Sequence, residues 1–387
     1  MTSSGLMPKS AAEFIHNCRT IVVKIGSVLV ADQETGELRK DWITTFANDI
    51  SKLSADHKVV IVSSGGIAAG RKFVDIPVTQ SPSSIPLALK QAASAVGQPH
   101  LFAAYHTAFS AHNLTTAQIL LTMSETENRR THLNARETLH TLIDKGIIPI
   151  INENDTVSTE EIRFGDNDRL AVRVAQMISA DLVILFSTID GLYDDNPHTN
   201  PKAAHIPVVE NITQDHVGMA GEAVSGLSVG GMRTKVEAAK AASAAGIPLI
   251  IAKGTQDHAV KELMEDKTAR STLFLAPEST KSARKTWIGS HLKPKGVVFI
   301  DEGALTALKN GKSLLPIGVK RIEGNFERGD AVEIKTEQGY EVGIGLSAYS
   351  SPEAVKITGK QSADIETLLG YAGREELVHR NDMVLKL

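Results

Sequence analysis

Five short apolar runs punctuate residues 20–253: IVVKI (21–25), VVIV (59–62), IIPII (147–151), LVILF (182–186) and IPLIIA (247–252). Runs this short are not helices buried all round, and their near-continuous apolarity marks strands covered on both faces. The segments between them have helical spacing. Ile43, Phe46, Ile50 and Leu53 fall on one helix face, and the alanine-rich Val236–Ala245 stretch closes at Gly246. Alternating strand and helix predict an α/β fold, an open, mainly parallel sheet sandwiched by helices. In such sheets ligands bind outside the carboxyl ends of the strands, so the chemistry belongs to the loops after each run.

Those loops are all polar or glycine-rich. Lys24 is followed by Gly26 and Ser27; the second run leads into SSGGIAAG (Ser63–Gly70), the third into NENDTVSTEEIRFGDND (Asn152–Asp168), and the fourth into STIDGLY (Ser187–Tyr193). Farther on stands GGMRTK (Gly230–Lys235). Carboxylates and amides such as Asn152, Asn154, Asp155, Asp166, Asn167 and Asp168 suit a small polar metabolite. Bare backbone N–H groups with a lysine suit phosphate. Together they suggest a phosphotransferase. Each feature also has a plain structural alternative: Gly65 and Gly66 as a tight turn, Asp166 as a helix cap, Lys24 as an edge lysine. The coincidence of four such loops at one sheet edge favours a site.

At 387 residues the chain is long for one average domain, and two are expected. No run approaches the roughly 18 apolar residues of a membrane span, so no membrane partner is expected. Residues 1–19 lack an apolar stretch of the signal-peptide kind, which predicts a cytoplasmic protein. Cys18 is the only cysteine, which excludes an internal disulfide and a cysteine zinc cluster. A net charge of -4 does not advertise a polyanion partner.

VVKIGS, VSSGGIAAGR, INENDTV, GDNDRL and GGMRTK, in that order, resemble the amino-acid kinase family. The pairing of INEND with GDND is similar to the segment that binds glutamate in one branch of that family. LLPIGVKRIEGNFERGDAVEI (Leu314–Ile334) resembles a PUA domain, a small β-rich module. The resemblance implies an N-terminal extension at 1–19, a kinase domain at 20–285 and a PUA-like domain at 291–387, with the boundary in the polar stretch Ser279–Lys295. It also implies transfer of the γ-phosphoryl group of ATP, with Mg²⁺, to the side-chain carboxylate of L-glutamate. That reaction is the first step of proline biosynthesis, with proline as inhibitor at or overlapping the glutamate site and a dimeric or tetrameric assembly.

Site residues follow from the same resemblance. Lys24 and Lys235 take transition-state roles, and Asp168 orients both. Ser64, Asp155 and Asn167 bind the acceptor. ATP falls to Lys24, Gly26, Ser27, Ser187, Thr188, Val229, Gly230, Gly231, Met232, Arg233, Thr234 and Lys235. Ser187 and Thr188 stand where the family commonly has Thr-Asp, and Val229 where it has Thr, so the base contacts depart from the pattern while the phosphate contacts keep it. No metal ligands are assigned. A carboxylate acceptor is ionised at neutral pH and needs no general base; it needs charge neutralisation.

Other readings stay open. A kinase of the same fold acting on aspartate, N-acetylglutamate or UMP shares every motif. A PUA-like module also fits RNA binding around Lys320, Arg321 and Arg328, although acidic residues slightly outnumber basic ones over 291–387. Gly226, Ser228 and Gly230 fit a hydrolase GxSxG pattern but lack the strand-to-helix setting it needs. Gly311–Ser313 lack the upstream glycine of a P-loop, Thr306 standing there instead. Asp194–Pro197 reads as a solvated turn, and Asp75–Pro86 as a surface loop or a flap.

Overall fold

The computed structural model describes residues 11–32, 35–77, 79–81, 84–157, 166–197, 199–220, 231–266, 269–277 and 294–386. They fall into two compact units divided near Pro277, except that Arg129–Leu133 group with the second. No helix among the described residues is long and apolar enough to cross a membrane.

The first unit opens with α1 (Ala11–His16), β1 (Thr20–Ile25), α2 (Ser27–Val30), α3 (Lys40–Leu53), β2 (Lys58–Ser63), α4 (Gly66–Gly70) and α5 (Leu87–Ser110). It continues through β3 (Thr116–Leu121), α6 (Met123–Glu127), α7 (Arg129–Asp144), β4 (Ile148–Glu153), α8 (Asp166–Ile178) and β5 (Leu182–Ser187). After β5 come β6 (Leu192–Tyr193), β7 (His205–Ile206), β8 (Val208–Val209), α9 (Gln214–Met219), α10 (Met232–Ala244), β9 (Leu249–Lys253), α11 (Ala259–Glu265) and β10 (Ser271–Phe274). Eight strands form one sheet in the order β3-β4-β2-β1-β5-β9-β10-β8. From β3 to β9 every pairing is parallel; β10 runs antiparallel to β9 and carries β8 parallel to itself.

All five apolar runs become parallel strands with both faces covered. Pleating sends Ile21, Val23 and Ile25 of β1 into a core with α3, α5 and α11, while Val22 enters the opposite core with α8 and α10. Lys24 follows Val22 on that second face, which aims it at α8 and α10 by alternation alone. The α3 face predicted from spacing is buried: Ile43, Phe46, Ile50 and Leu53 join Trp42, whose indole stacks on Phe46 with centroids 5.2 Å apart. Each such side chain contributes about 1.5–3 kcal/mol as an upper estimate.

Three strands of the eight-stranded sheet stand outside the five runs. β3, TAQILL, is an edge strand with several half-exposed residues, so its apolar signal is diluted. β8 and β10 are too short to register as periodic patterns. Residues 11–16, expected within an extension, form α1 and place Ala11 and Ile15 in the α3 core. Between α4 and α5 contact is unusually close: a Cβ on Gly70 would stand 1.7 Å from the Ala93 carbonyl oxygen, and one on Gly97 would stand 1.9 Å from that of Gly66.

The second unit has a five-stranded sheet of β11 (Gly296–Ile300), β12 (Val319–Gly324), β13 (Ala331–Thr336), β14 (Glu341–Leu346) and β15 (Met383–Leu385). Its order is β12-β11-β13-β14-β15, with only β11 and β13 parallel. Val298, Ile300, Phe326, Val332, Ile334 and Tyr349 fill its core. Several of its basic residues are engaged. Lys320 pairs with Asp301 at 3.2 Å, and Lys295 with Asp330 at 3.0 Å. Arg321 pairs with Glu323 and lies 3.9 Å over the Phe299 ring.

Candidate active site

Lys24, next to last in β1, Asp168, in the first turn of α8, and Lys235, in the first turn of α10, converge on one point. Lys24 Nζ lies 2.6 Å from Asp168 Oδ1 and Lys235 Nζ lies 3.1 Å from Oδ2. Thr234 Oγ1 stands 3.2 Å from the same Oδ2. All three ionisable side chains are buried, Asp168 completely. Burial alone would push the Asp168 carboxyl up; Lys24 and Lys235 more than offset it and hold the group down at about 2. Burial lowers the Lys24 ammonium and Lys235 lowers it further, while Asp168 opposes both. Two ammonium groups facing one carboxylate leave positive charge in excess among these three groups. Truncating the carboxylate would strand that charge in a dry site, at a cost of about 3–5 kcal/mol.

The acceptor candidates gather beside this triad. Asn167 Nδ2 donates to Ser64 Oγ at 2.7 Å and to Asn152 Oδ1 at 3.0 Å, so the ends of β2 and β4 are tied to the start of α8. Asn152 Oδ1 also accepts from the Glu153 N–H at 2.8 Å. Asn167 Oδ1 is buried with no partner among the described residues. Buried acceptors are rarely left so, and such an atom is suited to accept a hydrogen bond from a ligand donor. Asp155 is buried and accepts from Ser94 Oγ at 2.6 Å. Burial raises its carboxyl, and the Ser94 hydrogen bond opposes the rise. Asn167 and Asp168 are consecutive, so a single peptide joins the two clusters.

Among the nucleotide candidates, Gly26 caps α2 and Ser27 begins it. A Cβ on Gly26 would stand 3.8 Å from Lys24 Nζ, in ordinary contact, which places this glycine beside the ammonium. Ser187 ends β5 beside β1, where Ile25 pairs with Phe186, and its carbonyl accepts from the Gly254 N–H at 2.8 Å. Thr188 is exposed. Gly231 caps α10 and is followed by Met232, Arg233 and Thr234; Arg233 pairs with Glu237 at 3.3 Å. Val229 and Gly230, residues 158–165 and the GxSxG serine lie outside the described residues. Asp195 Oδ1 accepts from the Asn196 N–H at 2.7 Å and its Oδ2 from Asn200 Nδ2 at 2.9 Å, the pattern of a self-satisfied turn. Among the described residues no cluster of three His, Cys, Asp or Glu side chains is placed to hold a metal ion.

Sequence reasoning passed over α5 altogether. Ser94, Gln98 and Tyr105 are buried on it, and Ser94 touches a candidate acceptor residue. The available signal was a set of polar residues at helical spacing inside an apolar helix.

The model of the amino acid kinase family matches residues 19–253, and that of the PUA domain matches residues 296–369. The chain is similar to glutamate 5-kinase of Nitrobacter hamburgensis, 49% identical over 368 residues, covering 95% of this chain and 96% of that protein. It is equally similar to glutamate 5-kinase of Rhodopseudomonas palustris, 49% identical over 372 residues, with 96% and 97% covered. Glutamate 5-kinase 1 of Rhizobium meliloti is 48% identical over 376 residues, with 97% and 94% covered.

Proposed function

The chain belongs to the amino acid kinase family, and from that premise we propose that it phosphorylates the side-chain carboxylate of L-glutamate with ATP, as the first step of proline biosynthesis. The observation that carries the reading is the Lys24–Asp168–Lys235 triad joined by one peptide to the Asn167–Ser64–Asn152 cluster. A glutamate oxygen attacks the γ-phosphorus, the bond to the β,γ-bridging oxygen breaks, and ADP departs with that electron pair; L-glutamyl 5-phosphate remains. The acceptor is already anionic, so no proton is removed. Lys24 and Lys235 neutralise charge on the transferring group, and Asp168 holds both ammonium groups in place.

Asp155 accepts from the substrate ammonium, while Ser64 and Asn167 supply hydroxyl and amide contacts. Gly26, Ser27, Gly231 and Thr234 line the phosphates; Ser187, Thr188, Val229, Gly230, Met232 and Arg233 complete the nucleotide site. Magnesium bound with ATP would supply further charge neutralisation on the triphosphate, beside Lys24 and Lys235. The kinase domain spans 20–285 and the PUA-like domain 291–387 of a cytoplasmic homodimer or homotetramer. Proline competes with glutamate for its site.

The test is ADP release from MgATP with glutamate, aspartate, N-acetylglutamate or UMP, with hydroxylamine present to trap an acyl phosphate. Glutamate-dependent hydroxamate is expected. Turnover with a different acceptor alone would overturn the substrate assignment. Millimolar proline is expected to raise the apparent glutamate KM; an unchanged KM would remove the inhibitor from the reading.

A further inference from the structure

Helix α5 carries Ser94, Gln98 and Tyr105 at spacings that place them on one face, and all three are buried. Apolar side chains there would pack at lower cost, so the polar stripe needs a reason. Ser94 Oγ donates to Asp155 Oδ2 at 2.6 Å. Tyr105 Oη lies 2.9 Å from Ser63 Oγ, and Ser63 Oγ donates to the Ser64 carbonyl at 2.9 Å. With the serine proton committed to that carbonyl, the tyrosine hydroxyl donates to the serine oxygen, and a chain runs from Tyr105 through Ser63 to Ser64. The C=O and N–H of a trans peptide point in opposite directions, so anchoring the Ser64 carbonyl also aims the Gly65 N–H. Gly65 has φ +116°, a conformation other residues rarely adopt, so this peptide is not held by ordinary backbone preference.

Gln98 sits between the two links. Its Nε2 is buried with no partner among the described residues, and lies 2.6 Å from where a Cβ on Gly66 would stand. Ser94 Oγ is 3.2 Å from that same point. The stripe therefore faces the Ser64–Gly66 segment and holds an unused donor there.

We propose that Ser94 and Tyr105 are positioning residues for the acceptor, Ser94 by holding Asp155 and Tyr105 by holding the Ser64–Gly65 peptide through Ser63. This rests on the reading that glutamate binds at Ser64, Asp155 and Asn167. Neither residue touches the phosphoryl group, so the effect of each falls on acceptor affinity.

The full chain is assayed as Ser94→Ala, Tyr105→Phe, Ser63→Ala and the Ser63→Ala/Tyr105→Phe double variant. Phe109→Leu, a core change on the same helix, is the control. Loss of one positioning hydrogen bond is expected to raise the glutamate KM about tenfold, with kcat and the ATP KM within about twofold. The double variant is expected to match the single ones, since both remove one chain of donation. Phe109→Leu should lower the melting midpoint and leave the glutamate KM in place. Glutamate KM values that move no more than in Phe109→Leu, or additive effects of Ser63 and Tyr105, would overturn the proposal. Should Tyr105→Phe not fold, Ser63→Ala reads the same link. A wild-type chain that turns over another acceptor and not glutamate would overturn the glutamate reading and this proposal with it.

Discussion

At the scale of single residues, Asp168 does two jobs with one carboxylate. It keeps two buried ammonium groups tolerable for the fold, and in the proposed reaction it holds them where an anionic acceptor would meet an anionic nucleotide. If Lys235 contacts the transferring group as proposed, Lys235→Ala is expected to lower kcat about 10²–10³-fold with little change in the glutamate KM. A loss confined to KM in steady-state kinetics would count against that role. Asp168 also sets an acid limit on stability. Its carboxyl ordinarily titrates at 3.8 and is held at about 2 in the folded chain. A depressed carboxyl stabilises above its unfolded value and loses that contribution as pH falls from about 4 towards 2. Denaturant midpoints measured across that window should fall steeply for the natural chain and more shallowly for Asp168→Asn, which starts from lower stability. Lys24, lowered by burial and by Lys235, is expected to bring the alkaline limb of kcat below the ordinary lysine range. Lys24, Asp168 and Lys235 were named through the family resemblance of the motifs that hold them, and they lie at a strand end and two helix starts. Ser94 and Tyr105 were not, because their importance lies in contacts with residues that pairwise spacing on α5 does not reveal.

At the scale of elements, the five apolar runs became β1, β2, β4, β5 and β9, since burial on both faces writes the same continuous apolarity into each. The edge positions escaped for the opposite reason: β3 is half solvated, and β8 and β10 carry too few residues to show a period. The α4–α5 contact is a further case. Gly70 and Gly97 both lie in helices where backbone meets backbone. Gly70→Ala is expected to force the helices apart, costing about 1–3 kcal/mol and raising the glutamate KM as α5 shifts. Gly146→Ala meets nothing within 4 Å and bears only the strain of φ +70°, so its cost should be about 1 kcal/mol with KM unmoved. Chemical denaturation and steady-state kinetics on the two variants separate these outcomes.

At the scale of the whole molecule, two compact units with their own cores make two melting transitions the expected result of calorimetry. Saturating MgATP and glutamate should raise the first unit's transition, by about 2.7 kcal/mol at a hundred times Kd, and leave the other in place. Lys295, Lys320 and Arg321 of the second unit are tied to acidic neighbours, so the electrostatic footing for RNA around them is thin, in keeping with the near balance of charge in residues 291–387. The triad has a consequence for how the chain is made. Lys24 leaves the ribosome roughly 200 residues before Lys235, which at about 5–20 residues per second is a delay of some 10–40 s. For roughly the first two thirds of that interval β1, the strand at the middle of the sheet, has a lysine facing inward with neither its counter-ion Asp168 nor its companion synthesised, and for the rest it has Asp168 without Lys235. The nascent chain therefore gains little by settling β1 early, and a chaperone that keeps β1 open until α8 and α10 have emerged would be working with this molecule's electrostatics rather than against them.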